Sequence, residues 1–150
     1  MQNIKKIQIV KVSFGKNVEI IEPVNLYECK IGDNCFIGPF VEIQKEASLG
    51  NYNRIQSHTF ICSKVTIGNN CFIGHGVMFV NDKFENGGPS GKNKFKKTLI
   101  GDNVNIGSNS TILPVSICNN VVIGAGSVVT KNIEKSGIFA GNPARFIREI

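Results

Sequence analysis

The chain has 150 residues and a formal net charge of +6, and 41% of its residues are hydrophobic, enough for one domain with a substantial core. It opens MQNIKKIQIV and has no long apolar run, so neither a signal peptide nor a membrane span is expected. The lysines and arginines cluster locally, at 92–97 and near the C-terminus, without an aromatic-interleaved stripe, which argues against nucleic acid as a partner. Five cysteines without CxxC spacing (Cys29, Cys35, Cys62, Cys71 and Cys118) predict packing thiols in a reducing, cytoplasmic protein.

Taken in order, residues 1–13 precede the first clear repeat and are expected to cap one open end of the fold. From there an aliphatic or aromatic residue falls every sixth position, first at Phe14, Ile20 and Leu26. One residue early come Ile31, Ile37 and Ile43, followed by Leu49, Ile55, Ile61, Ile67, Ile73 and Phe79. The beat resumes at Ile100, Ile106 and Ile112, is again one residue short, and ends at Ile117, Ile123 and Val129. A period of six belongs to neither an α-helix nor an alternating strand. It means a solenoid whose segments bury their apolar side by stacking on neighbouring turns.

Small or apolar residues four places after the beat (Cys35, Val41, Ala47, Thr59, Val65, Cys71 and Val77) supply a second inward position. Both short steps and the long interruption follow the third residue of a triplet, Leu26, Ile112 and Phe79. Three hexads therefore make one triangular coil, and about six coils spanning 14–134 give a prism roughly 29 Å long. Asn17, Asn34, Asn70, Asn103 and Asn120 recur where a sharp corner needs positive φ, and Gly76 and Gly126 suit the next corner.

The interruption, about 85–99, carries three glycines, a proline and the lysines Lys92, Lys94, Lys96 and Lys97. A loop of that length inside a regular solenoid points to function, and its lysines suit a phosphate-bearing ligand or simply a soluble edge. After Val129 the beat fades into a short helical or extended tail, 135–150, with a turn at Gly141-Asn142-Pro143.

Only two histidines exist. His58 and His75 belong to hexads eighteen residues apart, which puts both on one corner of adjacent coils. His75, flanked by Gly74 and Gly76, suits a general base; its plainer reading is a solvated turn residue. His58 suits a structural or substrate-contacting role. Asn81 and Asp82 stand at the last corner before the loop, where they either orient a sugar or simply make the turn.

The hexads KIGDNC, FIGPFV, TIGNNC, FIGHGV, LIGDNV and VIGAGS, with the ending SVVTKNI…AGNPAR, resemble the hexapeptide-repeat acyltransferases over nearly the whole chain. That resemblance implies an all-β, left-handed parallel β-helix, normally a homotrimer, using acetyl-CoA as co-substrate and no metal. VNLYECKIG, PFVEIQK, IQSHTFIC and GHGVMFVND resemble the N-acetyltransferases of nucleotide-linked 3-amino sugars, which serve surface polysaccharide synthesis. In that branch the asparagine of FVND, here Asn81, faces the substrate, and Asp82, His58, Gln44 and Gln56 are expected beside it. The resemblance further places pantetheine along Gly107, Ser108, Ala125, Gly126 and Ser127, with Lys131 and Arg145 on its phosphates. ILPVSI, in place of the family's ILPG run, shortens one corner of that groove.

The same prism also carries γ-type carbonic anhydrases, but two histidines do not make three zinc ligands. An ice-binding scaffold would want regular threonine rows and no long loop. A serine or xenobiotic acetyltransferase, with the same chemistry on another small acceptor, is the remaining alternative.

Overall fold

Hydrogen bonding between successive coils, rather than within them, builds this chain. In a computed structural model describing residues 1–150, the first coil holds β2 (Ser13–Phe14), β3 (Glu19–Ile20) and β4 (Asn25–Tyr27), preceded by β1 (Ile9–Val10). The second holds β5 (Lys30–Ile31), β6 (Phe36–Ile37) and β7 (Glu42–Ile43), and the third β8 (Ser48–Leu49), β9 (Arg54–Ile55) and β10 (Phe60–Ile61). The fourth holds β11 (Val65–Ile67), β12 (Phe72–Ile73) and β13 (Met78–Phe79), and the fifth β14 (Thr98–Ile100), β15 (Asn105–Ile106) and β16 (Thr111–Ile112). The sixth holds β17 (Ser116–Ile117), β18 (Val121–Ile123) and β19 (Val128–Val129), and β20 (Gly137–Ala140) and β21 (Arg145–Arg148) follow. Every third strand pairs in parallel, which makes three sheets and a left-handed β-helix of triangular section.

The register explains the irregular beat. Phe14, Ile20 and Leu26 pair with Ile31, Ile37 and Ile43 seventeen residues on, whereas Ile31 pairs with Leu49 eighteen residues on. Across the interruption Ile67 pairs with Ile100, so the inserted loop adds fifteen residues without disturbing the stack. It leaves after Phe79 and returns at Thr98, so Thr98 and Leu99 belong to β14 rather than to the loop. The inward columns form one continuous core in which Leu26, Ile37, Ile43, Ile55, Ile61, Ile73 and Phe79 have no solvent exposure. Where the second inward column reaches Asn53, the buried amide is satisfied. Its Nδ2 donates to the carbonyls of Gly50 (3.0 Å) and Gly68 (2.8 Å), and its Oδ1 accepts from Cys71 N (2.8 Å).

All three corners turn through left-handed backbone. Between the first and second faces Asn17, Asn34, Tyr52, Asn70, Asn103 and Asn120 have φ between 54° and 59°. The second corner, between the second and third faces, uses Gly76 and Gly126 but also Phe40, His58 and Asn109; the third uses Lys11, Glu28, Glu46 and Lys64. Those charged and aromatic residues are poor left-handed formers, so the stacked coils on either side impose the conformation. Gly74 is needed for closeness rather than for φ, because a Cβ there would stand 2.7 Å from Ser108 N in the next coil.

The two ends depart from expectation. Residues 1–8 have no regular structure and leave Ile4 and Ile7 81% and 68% exposed, so they do not cap the prism. Instead Ile9 continues the third face as β1, five residues before Phe14. At the other end Ile133 bridges Ile117 and β20 pairs with β18 in a sixteen-residue register. The tail is thus extended, and β21 folds back antiparallel on β20. Edge-to-face contact of Phe139 with Phe146 and Lys135 over the Phe146 ring (4.1 Å) hold that hairpin.

Thr98 is the one buried hydroxyl without a hydrogen-bond partner, in an inward column beside Val65. Thr98→Val should therefore raise the unfolding free energy by about 1 kcal/mol, the low end of the cost of an unpaired buried hydroxyl. Thermal unfolding checks this, and a lowered midpoint would show that the hydroxyl is satisfied by buried water.

Candidate functional site

The fifteen-residue insertion gives the third corner a deep concavity. Strand periodicity lines up Tyr27, Gln44, Cys62, Val80 and Leu113, each one residue past a third-face beat, as the floor of a groove of about 1120 Å³. Phe60 and Phe79 add apolar wall from the prism, and Phe84, Lys92, Asn93 and Phe95 close it from the loop. Asn81 and Asp82 stand at its mouth and also line a second, wholly polar hollow beneath the loop, with Lys94 and Lys96.

The loop is held down at its neck. Asp82 Oδ2 accepts from Ser90 N (2.6 Å) and Oδ1 from Phe84 N (3.0 Å), and the Asn81 carbonyl accepts from Lys96 N (3.1 Å). Those N–H groups, Ser90's first and then Phe84's, hold the Asp82 carboxyl below its ordinary range. Lys64 Nζ donates to the Phe95 carbonyl (3.3 Å), and Lys96 pairs with Glu85, whose carboxyl is likewise lowered by that hydrogen bond and charge. The turn-making role of Asp82 is thus present in full, and both its oxygens are occupied.

The four loop lysines do not converge. Lys92 faces the groove, Lys94 and Lys96 the hollow beneath, and Lys97 neither. In the floor, burial first and then the charges of Glu42 and Glu28 raise the Tyr27 hydroxyl's pKa, so it stays a protonated donor and acceptor. Burial pushes the Cys62 thiol up to about 12, which makes it wall rather than nucleophile.

The residues singled out in the sequence sort onto two different corners. Gln44, Asn81, Asp82 and Lys131 lie on the third corner. His58, His75, Gln56, Gly107, Ser108, Ala125 and Gly126 lie on the second, with Arg145 nearby because it pairs with Ala140 at the end of β20. At about 3.3 Å per residue the backbone from His75 to Asn81 spans on the order of 20 Å across the third face. One prism therefore does not bring them together.

His75 is exposed, as its flanking glycines suggested, with Nδ1 2.8 Å from the Ser57 hydroxyl one coil below. His58 stacks on Phe40 with ring centroids 4.8 Å apart. Gly107, Ser108, Ala125 and Gly126 leave backbone accessible along the edge, but Ser127 corrects the sequence reading. It is fully buried, its hydroxyl donates to the Gly124 carbonyl (2.6 Å) and accepts from Gly141 N (3.1 Å), and it offers no surface along the edge. No group of three or more His, Cys, Asp or Glu side chains has metal-holding geometry, and no helix is long and apolar enough to cross a membrane.

Sequence reasoning missed Tyr27, Lys45, Ser63, Lys64 and Phe95 as groove residues. The period itself held a signal for Ser63, which stands eighteen residues before Asn81 and so one coil beneath it.

A prism of hexapeptide coils with a single looped edge defines a class. A succinyl-transferase hexapeptide-repeat model matches residues 64–78 and 97–131, and a bacterial transferase hexapeptide model (six repeats) matches 28–63. Together they cover more than half of the chain, which belongs to the hexapeptide-repeat transferase family. Among solved structures, a point mutant of AntD, an N-acyltransferase from Bacillus cereus in complex with dTDP and coenzyme A, is 25% identical. Its TM-score is 0.83 over 91% of this chain and 83% of that one. PerB from Caulobacter crescentus, in complex with CoA and GDP-perosamine, shares the fold at 15% identity, with a TM-score of 0.64 over 93% and 57%. The bifunctional protein GlmU of Streptococcus uberis is 33% identical over 152 residues, or 94% of this chain and 32% of the relative. The chain spans about a third of the length of the curated relatives it matches.

Asp82 generates a prediction about the loop. A carboxyl with a depressed folded pKa stabilises its contacts above the ordinary carboxylate range and loses them as pH falls through the lowered value. The loop should hold at neutral pH and loosen only below about pH 4. Asp82→Ala should loosen it at pH 7, seen as several-fold faster tryptic cleavage at Lys92, Lys94, Lys96 or Lys97 with an unchanged unfolding midpoint. An unchanged cleavage rate would show that the remaining contacts suffice.

Proposed function

We propose that the protein is an N-acetyltransferase that moves an acetyl group from acetyl-CoA to the amine of a nucleotide-linked amino sugar, as a homotrimer in the cytoplasm. The observation that carries this is the groove at the third corner, where an aromatic and apolar floor runs into the amide of Asn81. A flat base and a sugar would find stacking surface and a polar anchor there, with Lys92 and Lys45 at hand for a diphosphate. The likeness to AntD, which is described with dTDP and coenzyme A, supports both halves of the reading. A 3-amino sugar carried on dTDP or UDP, made for surface polysaccharide, is the acceptor this reading favours.

Chemistry supports an assembly of more than one prism, and the resemblance favours three. His75 and the small-residue track of the second corner need a second prism to meet Asn81. Apolar bulk runs from the second corner (Phe40, 57% exposed) over the third face (Met78, 41%) to the loop (Phe84, 58%). A second corner laid against a neighbour's third corner would cover it and close a cleft between the two.

In such a cleft the sugar amine attacks the thioester carbonyl carbon, forming the C–N bond, and collapse of the tetrahedral intermediate breaks the C–S bond. The ammonium proton passes to His75 Nε2 when the Ser57 hydroxyl accepts from Nδ1–H, or to the departing thiolate, which is itself basic. Positioning supplies much of the rate.

Thiol release from acetyl-CoA, measured against a panel of 3-amino and 4-amino nucleotide sugars, tests the reading. At least one of them should be turned over, and His75→Ala should lower that turnover by about 10²-fold, at the low end of general acid–base contributions. Release with free serine or a xenobiotic alcohol and with no amino sugar would contradict the acceptor, and full activity in His75→Ala would remove it from catalysis.

A further inference from the structure

The Asn81 amide is not free to choose which end it shows to the groove. Its Nδ2 lies 3.3 Å from the Ser63 backbone carbonyl and 3.0 Å from the Ser63 hydroxyl, one coil below. A backbone carbonyl can only accept, so the nitrogen must be the atom on that side. The oxygen, Oδ1, has no partner in the protein and is left to the space that Asn81 lines, the groove and the polar hollow beside it.

Ser63 is in turn held. It is buried at 5% exposure, and its N–H donates to Gln44 Oε1 (3.3 Å). Gln44 Nε2 donates to Glu42 Oε1 (2.9 Å), whose other oxygen accepts from Asn25 Nδ2 (3.2 Å). Gln44, expected to touch substrate, thus spends both ends of its amide on this ladder. The line Asn25–Glu42–Gln44–Ser63–Asn81 climbs four coils and ends in a single unpaired acceptor.

We infer that Ser63 is a positioning residue, which fixes the Asn81 amide with its oxygen toward the groove so that Asn81 accepts a hydrogen bond from the acceptor amine. This rests on the acyl-transfer reading above. An acceptor at that point holds one N–H of a neutral amine while the nitrogen lone pair faces the thioester carbon. A donor there would instead address the thioester oxygen. The ladder therefore gives Asn81 a role toward the amine and none toward the developing oxyanion.

A double-mutant cycle tests it, with steady-state kinetics on the best amino sugar. Ser63→Ala leaves the carbonyl but removes the hydroxyl, and should lower kcat/KM for the sugar by roughly fivefold, as loss of one hydrogen bond of ordinary net strength would. The KM for acetyl-CoA and the unfolding midpoint should not move. In an Asn81→Ala background the same change should cost nothing further, because Ser63 acts only through that amide. Ser63→Cys, with a weak acceptor of similar length, should behave like the alanine variant and serves if that one folds poorly.

The same loss in both backgrounds, no loss in either, or a raised KM for acetyl-CoA would overturn the role given to Ser63 while leaving acetyl transfer standing. Absence of transfer to every amino sugar by the unaltered protein would instead overturn the functional reading, and this inference with it.

Discussion

Each strand of this protein is too short to exist alone, and the whole structure depends on the parallel hydrogen bonds that tie each coil to the next. Strands β2 to β19 contain two or three residues apiece. Isolated, such segments would lose far more conformational entropy than their few bonds return. Stacked, each backbone group at a face finds a partner above and below, and each inward isoleucine packs on the isoleucines of its own column. Stability is therefore close to a sum of nearest-neighbour terms between coils. That makes the register indispensable: a coil may be one residue shorter, but only where the change is absorbed at a corner.

The corners inherit that constraint and turn it to use. Because coil spacing is fixed by the sheets, a corner residue takes positive φ whether or not its side chain favours it, as at Phe40, His58 and Lys64. The same spacing sets side chains eighteen residues apart directly over one another, which places Ser57 under His75 and Ser63 under Asn81. Inserting fifteen residues at the third corner costs little, since closure entropy grows slowly with loop length and the neck is already held by the sheets. Asp82 and the Asn81 backbone then fold the insertion down over the floor column. A groove follows at that edge.

Where the period holds, the sequence is readable at the level of single residues. The beat from Ile20 to Val129 names the inward side chains, although Phe14 at the open end stays 41% exposed, and its short steps name the corner that absorbs them. Ile9 escaped because one more five-residue step, standing alone, is indistinguishable from chance. The register drop to sixteen hid Phe139 and β20 in the tail. Positive φ at Glu46 or Lys64 left no trace in residue type, because neighbouring coils impose it. Of the site, the resemblance grouped Asn81 with Gln44, His58 and Gln56, whereas the columns put only Gln44 on its corner and would have found Ser63. The columns would also have turned Ser127 inward, four places after Ile123, but they could not show that Lys92, Lys94, Lys96 and Lys97 diverge, because loop geometry carries no period.

The remaining tension is geometric: the residues with the most chemistry lie on two edges of one face, and a rigid prism does not bend them together. Under the proposed assembly the His75 edge of one chain serves the Asn81 edge of its neighbour, so the functional unit is the seam between prisms. Co-expressing His75→Ala chains with Asn81→Ala chains addresses this directly. In randomly mixed assemblies about a quarter of the seams would join an intact His75 to an intact Asn81. Acetyl transfer by the mixed protein well above that of either variant alone is the result expected. A mixture no more active than its parents would place both side chains in the same chain's site and contradict the shared seam.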